Sequence, residues 1–298
     1  MGREREVVRK EFPLVLPLFA FSCLVQSAGP NAFSAYTAIM LNILTIHATI
    51  KTSSLPKPLR TLLLSLAVSD LGVGLLVQPS YIAVMANPAY FTNTAFNMIS
   101  PLFASASFFS VVAISVDRFL AVHLHLRYQE LVTHKCVVTV VISIWVFSAF
   151  LTSIEFWISL DGILLVDLIT QSVGYIITGI IYCRIYFTVR RHSDQIHCQQ
   201  IQVAQNSQIE SAAWQRKSAV NTLYVYLMFL VCCLPDFFCA RVARLICPQS
   251  SALNGWFFYS LTLFFLSSSL NPVIYCWKMR HIRRAIINTL RGIFLRQN

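Results

Sequence analysis

Charged side chains are scarce in this chain of 298 residues: Asp, Glu, Lys and Arg make up 12% of it, whereas 56% of its residues are hydrophobic. A water-soluble domain carries about 25% charged residues. The mean hydropathy is +0.65. The shortage of charge argues against a soluble α-helical protein and favours a membrane protein.

Other features are missing altogether. The sequence Asn-x-Ser/Thr, the acceptor for N-glycosylation, does not occur, which is unusual for a cell-surface protein without excluding one. There is no internal repeat and no polar stripe through several apolar runs, both of which a transporter or channel would predict. The seven His are scattered, which argues against an enzyme, since an enzyme needs a nucleophile and base or a metal cluster. A transporter or channel remains the second hypothesis.

Long hydrophobic runs, by contrast, are abundant. A bilayer core of about 30 Å needs about 20 apolar residues in a helix. Seven runs of about that length occur, at 31–50, 60–86, 96–122, 136–157, 163–189, 218–240 and 253–277. The sequence therefore predicts an all-α integral membrane protein, a seven-transmembrane-helix bundle. The boundary between runs four and five is the least distinct, and the polar stretch 190–217 is interpreted as solvated extensions of its flanking helices.

Lys and Arg are distributed unequally between the two sides of such a bundle. If the seven runs alternate, one set of loops holds 15 of them and the other holds 6. The richer side is expected to be cytoplasmic, which places the N-terminus outside and the tail inside. The net charge of +11 then reflects this bias and attraction to anionic membrane lipid, and gives no indication of nucleic acid.

Three regions follow from this topology. Residues 1–30 are expected to be a short extracellular N-terminus, 31–277 the seven-helix transmembrane domain, and 278–298 an amphipathic helix and short cytoplasmic tail. The apolar stretch "FPLVLPLFAFSCLV" near the N-terminus leaves a cleaved signal peptide open as an alternative.

Several polar residues interrupt the apolar runs. Asp70 has about two turns of apolar residues on either side, and an ionisable group at that depth marks a functional or paired position by default. It is interpreted as an ion or proton site, the alternative being a carboxyl satisfied by neighbouring hydroxyls. Asn42 and Asn271 are further buried amides. Pro235 and Pro272 are expected to kink their helices.

These residues occur in sequences that carry a resemblance. "LAVSD" lies in the second run, "SVDRFLAV" closes the third, Trp145 is in the fourth, "CCLP" in the sixth and "SLNPVIY" ends the seventh. In this order and spacing they resemble a rhodopsin-like (class A) G-protein-coupled receptor, from about residue 31 to 290. The resemblance implies a signalling receptor of the plasma membrane, which is not an enzyme and activates a heterotrimeric G protein.

The resemblance also implies roles for individual residues. Asp117 and Arg118 would hold the third helix in an inactive arrangement until the Arg contacts the G protein. The other residues implied in this switch are Tyr182, Phe229, Pro235, Asn271, Pro272 and Tyr275. A sodium ion, which would stabilise the inactive state, is implied at Asp70, Ser107, Ser268 and Asn271.

The chain also departs from the family pattern. Cys233 stands where the family has Trp two residues before the sixth-helix Pro, and Gly174 stands where it has the fifth-helix Pro. Asn93 stands where the family has a Cys of its usual extracellular disulfide. Of the nine Cys, most are expected inside spans or on the cytoplasmic side, where thiols stay reduced. The extracellular candidates are Cys23, Cys239 and Cys247, which allow three possible pairings. These departures resemble the melanocortin-like branch, near the cannabinoid and lysophospholipid receptors. Cys233 also leaves open the alternative that the protein has the receptor fold but no longer signals.

The expected ligand site lies between the outer halves of helices three, five, six and seven. Ser100 replaces the Asp of amine receptors, the acidic cluster of melanocortin receptors is missing, and there is no mid-span Lys for retinal. A mostly aromatic pocket with one carboxylate suits an extracellular ligand that is small or lipid-like. The predicted contacts are Ser100, Phe103, Tyr175, Asp236, Phe237, Phe257 and Phe258. An ion pair between Asp236 and Arg241 or Arg244 is the alternative role for that carboxylate.

Overall fold

The computed structural model of the chain describes residues 29–52, 55–86, 95–124, 127–154, 157–199, 207–246, 251–278 and 282–287. Seven long helices follow one another within these ranges. The first is Gly29–Lys51, the third Ala95–Leu124, the fourth His134–Ile154, the fifth Leu160–Gln199 and the seventh Ser251–Lys278. The second joins Lys57–Gly72, π-helical Val73–Val77 and Gln78–Ala86, and the sixth joins Ser207–Asp236, π-helical Phe237–Val242 and Ala243–Ile246.

The seven-helix expectation is confirmed. The first five helices each contain a segment long and apolar enough to cross a membrane, and the sixth contributes the shorter apolar segment Asn221–Asp236. The polar stretch between the fifth and sixth helices extends both of them, because the fifth continues to Gln199 and the sixth begins at Ser207. The fourth and fifth helices are separate, since one ends at Ile154 and the next begins at Leu160.

The third helix is the centre of the bundle and packs against the second, fourth, fifth and sixth. The fourth and fifth helices are peripheral and expose large apolar side chains, among them Ile142, Val146, Phe150, Ile176 and Ile180. In a membrane these side chains face lipid, which solvates them as well as a protein core does. Polar groups are placed inside instead, where other helices supply their hydrogen-bond partners.

A chain of hydrogen bonds joins three of the helices. Trp145 donates its Nε1–H to Ser65 Oγ at 3.2 Å, and Ser65 Oγ lies 3.2 Å from Ser110 Oγ. Ser65 and Ser110 are buried. The second, third and fourth helices are thereby fixed in register, which positions the polar centre of the second helix against the third.

Candidate functional site

A buried carboxyl group lies midway along the second helix. Asp70 is 1% exposed. Its Oδ1 accepts a hydrogen bond from the Ser107 hydroxyl at 3.0 Å, and its Oδ2 accepts one from the Asn271 amide at 2.9 Å. The Ser268 side chain also hydrogen-bonds to this carboxyl. The structure therefore brings Asp70, Ser107, Ser268 and Asn271 to one point between the second, third and seventh helices.

The chemistry of this cluster fits a small, hard cation. The carboxylate and the hydroxyls of Ser69, Ser107 and Ser268 are oxygen donors, the type that such cations prefer, and all of these side chains are buried. Asn271 is turned differently, since it presents an N–H to Asp70 and so holds the carboxylate in place. No group of three His, Cys, Asp or Glu side chains suited to a metal occurs in the described ranges. The predicted hydroxyl partners of Asp70 are thus present. They suit both an ion site and the alternative, a carboxyl satisfied by hydrogen bonds from its neighbours.

The first helix approaches the same cluster through Asn42. Its Nδ2 donates to the Ala38 carbonyl at 2.9 Å and to the Ser268 carbonyl at 3.0 Å. The second of these bonds crosses to the seventh helix. Asn42 therefore binds the main chain at Ser268, whereas the Asp70 carboxyl is hydrogen-bonded by Ser107 and Asn271.

A second polar cluster lies near the C-terminal end of the third helix. Arg118 donates its Nε–H to Asp117 Oδ2 at 2.9 Å, and its Nη2 contacts the same oxygen. The Asp117 Oδ1 accepts a hydrogen bond from the Tyr128 hydroxyl at 2.6 Å. Arg118 is 1% exposed and Asp117 is 4% exposed. An ion pair this deeply buried requires partners for its remaining polar atoms, because desolvation offsets most of its attraction.

Tyr128 was not singled out by sequence reasoning. It begins the one-turn helix Tyr128–Leu131, which lies between the third and fourth helices. Burial and the neighbouring Asp117 carboxylate raise the pKa of Tyr128 above its usual range, so its hydroxyl remains a hydrogen-bond donor. In the sequence, Tyr128 stands between Arg127 and Gln129, 11 positions after Asp117. A tyrosine in such a loop has no distinguishing pattern.

The two tyrosines of the predicted switch lie in different surroundings. The Tyr182 hydroxyl donates to the Thr222 carbonyl at 3.2 Å and accepts from Ser115 Oγ at 3.2 Å. Its ring stacks on Tyr226 with centroids 4.8 Å apart. Tyr275 is 1% exposed, and its hydroxyl has no hydrogen-bond partner among the described residues. Tyr182 therefore joins the third, fifth and sixth helices, whereas Tyr275 keeps an unused donor inside the bundle.

The two prolines of the predicted switch lie inside their helices. Pro235 directly precedes Asp236 and the π-helical turn Phe237–Val242, and Pro272 follows Asn271 in the seventh helix. Phe229 is buried six residues before Pro235, with its ring centroid 6.2 Å from that of Phe108. The sixth helix thus changes from α-helical to π-helical at Phe237, eight residues after Phe229, which contacts Phe108 of the third helix.

A cavity of 220 Å³ opens between the third, fifth and sixth helices. Of the predicted contacts, Ser100, Tyr175 and Asp236 line it. Asp236 is buried and lies 3.5 Å from Ser260 Oγ. The side chains of Arg241 and Arg244, its alternative partners, lie outside what the structure describes.

The cavity contains polar residues that sequence reasoning missed. A second carboxylate, Asp167 of the fifth helix, lines it together with Asn97, Ser105, Thr170 and Gln171. The expectation of one carboxylate in a mostly aromatic pocket is therefore corrected. Asp167 lies in the apolar run "ILLVDLITQ", and like Asp70 it could have been found as an acidic residue inside a membrane span.

Two other predicted contacts, Phe103 and Phe237, do not line the cavity. The Phe103 ring packs edge-on against Trp145 with centroids 5.9 Å apart and lies over Gly72. Phe237 is buried and packs edge-on against Tyr175, with centroids 5.6 Å apart. The side chains of Phe257, Phe258 and Cys239, and the whole of Cys23 and Cys247, lie outside the described parts, so the proposed disulfide pairings stay predictions.

Comparisons with known proteins agree with this architecture. The chain matches the model of the 7 transmembrane receptor (rhodopsin family) over residues 41–163 and 158–275. It therefore belongs to the rhodopsin family of seven-transmembrane receptors, G-protein-coupled receptors that bind extracellular ligands. Members of this family are multi-pass proteins of the plasma membrane and are not enzymes.

Individual relatives are distant. Melanocortin receptor 4 of Danio rerio is 26% identical over 262 residues, which are 83% of this chain and 78% of that protein. Melanocortin receptor 3 of Homo sapiens is 24% identical, over 89% of this chain and 84% of its own length. Adenosine receptor A2a of Canis lupus familiaris is 24% identical, over 88% and 71%. The melanocortin receptors among these relatives are consistent with the predicted branch.

Proposed function

We propose that this receptor binds a small extracellular ligand in the cavity and activates a heterotrimeric G protein from its cytoplasmic side. The observation that carries the proposal is the position of two sites on one helix. Ser100 lines the cavity near the start of the third helix, and Arg118 lies near its end. Eighteen residues separate them, about 27 Å along a helix. A change in helix packing at the cavity therefore has a direct route to Arg118.

The proposed ligand is small and amphipathic or lipid-like, with a polar head. Aromatic rings and aliphatic side chains form one part of the lining, and Asp167, Asp236 and neighbouring polar side chains form the other. Carboxylates in such a setting select hydrogen-bond donors or cationic groups on the ligand. The head group would therefore face the fifth and sixth helices.

In the resting receptor, the Asp117–Arg118 pair and its Tyr128 hydrogen bond would keep Arg118 within the bundle. Ligand binding would favour a packing of the third, sixth and seventh helices in which Arg118 is released. A sodium ion held by Asp70, Ser107 and Ser268 would stabilise the resting arrangement, with Asn271 positioning the carboxylate. The N-terminus would be extracellular and the tail cytoplasmic, as the Lys and Arg distribution favours.

The test is dissociation of G-protein subunits in cells that express the full chain, measured for one Gα class at a time. Pools of lipids, nucleosides and peptides would be applied to wild type and Arg118→Ala at matched surface expression. We expect a response in one Gα class that Arg118→Ala abolishes. A ligand response that survives Arg118→Ala would contradict the proposed role of this residue.

The ligand site is tested in the same cells. Asp236→Asn and Asp167→Asn are expected to raise the half-maximal ligand concentration about tenfold or more, since each removes one charge-assisted hydrogen bond. Asp161→Asn is the matched control, because Asp161 is exposed at the start of the fifth helix and does not line the cavity. Equal potency in all three variants would exclude this cavity as the ligand site.

A further inference from the structure

A lysine held between two aromatic rings joins the cytoplasmic ends of the sixth and seventh helices. Lys278, the last residue of the seventh helix, places its Nζ 3.7 Å from the ring centroid of Tyr224 and 3.8 Å from that of Trp277. The two rings lie 6.2 Å apart and are inclined at 55°. Tyr224 belongs to the sixth helix and Trp277 to the seventh. One ammonium group is therefore shared by rings of two helices.

The main chain of the same lysine makes a second connection. Asn221 of the sixth helix donates its Nδ2–H to the Lys278 carbonyl at 2.9 Å. This carbonyl is at a helix C-terminus, where carbonyl groups lack intrahelical donors. Asn221 and Tyr224 are three residues apart and so lie on the same face of the sixth helix. The side chain and the backbone of Lys278 thus both bind this face.

We propose that Lys278 is a positioning residue that holds the cytoplasmic end of the sixth helix against the seventh in the resting receptor. This inference rests on the proposed function, in which these helices rearrange during activation. Any movement of the sixth helix away from the seventh would separate Tyr224 from Lys278 and break the Asn221 bond. Because a cation–π contact is a modest interaction, loss of the contact between Lys278 and Tyr224 is expected to shift the equilibrium between closed and open arrangements by about threefold to tenfold.

The ion pair of the third helix does not supply this connection. Asp117 and Arg118 are adjacent in one helix, so their mutual bond holds no second helix in place. On its other side the sixth helix is bound to the fifth through the Tyr182–Thr222 hydrogen bond and the stacking of Tyr182 on Tyr226. Lys278 provides the corresponding attachment to the seventh helix.

A different role is available to the same residues, and it makes different predictions. Trp and Lys at the end of a membrane helix anchor that helix at the interface, and Trp277 is 66% exposed. An anchor of the seventh helix does not require an aromatic residue at position 224. The proposed attachment does, and it further requires that the effects of changing Tyr224 and Lys278 depend on each other.

The experiment measures the separation of helix ends in the purified full chain in lipid nanodiscs. Spin labels are placed on native Cys136, exposed at the start of the fourth helix, and on a cysteine introduced by Ser218→Cys in the sixth, with other reactive cysteines replaced by serine. Pulsed electron–electron resonance gives the populations of short and long distances. The variants are Lys278→Gln, Tyr224→Leu and the double change, with Lys278→Arg as the control that keeps the cation.

We expect each single variant to raise the ratio of long to short distances by about threefold to tenfold, and the double variant to raise it no further. Lys278→Arg should resemble the parent receptor. Additive effects, or an unchanged distance distribution in Tyr224→Leu, would overturn the proposal. Lys278→Met, of similar length and without charge, replaces Lys278→Gln should that variant fail to fold.

The readout separates this inference from the proposed function, because the distances are measured without any G protein. Basal nucleotide exchange on Gα is then measured on the same samples. Variants that open the sixth helix but activate no Gα class would support the attachment and contradict the proposed coupling. A wild-type receptor that couples, together with variants whose distances do not change, would retain the coupling and refute the attachment.

Discussion

The ring of Phe108 fills the space beside Gly174 that a side chain at that position would occupy. A Cβ built on Gly174 would overlap the edge of this ring. Phe108 is buried, and its ring centroid lies 5.3 Å from that of Tyr175 and 6.2 Å from that of Phe229. The third, fifth and sixth helices meet at this ring, so glycine at position 174 is part of their packing.

Replacing Gly174 with Ala is therefore expected to destabilise the receptor. An added methyl group in a packed interior typically costs about 1–3 kcal/mol, and here it meets the Phe108 ring, which packs against Tyr175 and Phe229. The measurement is the midpoint of thermal unfolding of the purified receptor in detergent.

Gly179→Ala is the matched control on the same helix. The nearest atom to a Cβ at Gly179 is Tyr226 Oη at 3.9 Å, so the midpoint should be unchanged or higher. Adding Phe108→Leu to Gly174→Ala should restore part of the loss. Equal midpoints for Gly174→Ala and Gly179→Ala would contradict the packing argument.

Removing the Tyr128 hydroxyl is expected to raise basal signalling. Tyr128→Phe keeps the buried ring but leaves Asp117 Oδ1 without its donor at 2.6 Å, which weakens the resting state by about 1–3 kcal/mol. Ligand-free G-protein activation at matched surface expression checks this. Tyr186→Phe is the control, because Tyr186 is 53% exposed on the fifth helix; the same basal rise in both variants would contradict a specific role for Tyr128.

The same bond should be insensitive to pH across the physiological range. Because the pKa of Tyr128 is raised by burial and by Asp117, its contribution to stability is complete below the ordinary tyrosine pKa of about 10 and is lost only above it. The ratio of basal signalling in Tyr128→Phe to that in wild type should therefore stay constant from about pH 6 to pH 8.5. A ratio that falls towards one as the pH rises within that interval would show that the hydroxyl ionises there.

Sodium should stabilise the receptor through Asp70. Replacing choline chloride with sodium chloride at constant ionic strength is expected to raise the midpoint of thermal unfolding of wild type, because a bound ion stabilises the state that binds it. Asp70→Asn should abolish this response, and Ser107→Ala should weaken it. Asp236→Asn should retain it, since Asp236 lies in the cavity. A sodium response that persists in Asp70→Asn would exclude this cluster as the ion site.

Much of the fold was predictable because each membrane helix is marked in the sequence by its own apolar run. Seven apolar runs predicted seven helices. The polar stretch 190–217 was interpreted as extending two of them, and its described parts, 190–199 and 207–217, are helical. The midspan Asp70 and the adjacent Asp117 and Arg118 were identifiable because ionisable residues are rare and costly inside a membrane.

Contacts between distant residues were less accessible. The hydrogen bond of Tyr128 to Asp117 and the contacts of Lys278 with Tyr224 both depend on how separate segments pack together. Aromatic residues near helix ends are too common to indicate such a partner. Phe103 was expected in the cavity but packs against Trp145, since an apolar residue in a membrane helix satisfies the sequence pattern whichever neighbour it faces. Asp167, like Asp70, is an acidic residue inside an apolar run. Its place in the cavity could have been suspected from the sequence but was missed.

Cys233 gives a prediction opposite to the one that the family pattern favours. Restoring the family's Trp at this position would be expected to improve signalling if Cys233 were a defect. However, Cys233 is 3% exposed and lines the 220 Å³ cavity beside Phe229 and Asp236. The much larger Trp would fill the cavity or displace its walls, so Cys233→Trp should reduce ligand binding and response. Cys233→Ala, which keeps the space open, should bind nearly as well as wild type. A stronger ligand response in Cys233→Trp, measured at matched surface expression, would show that the space is not used by the ligand.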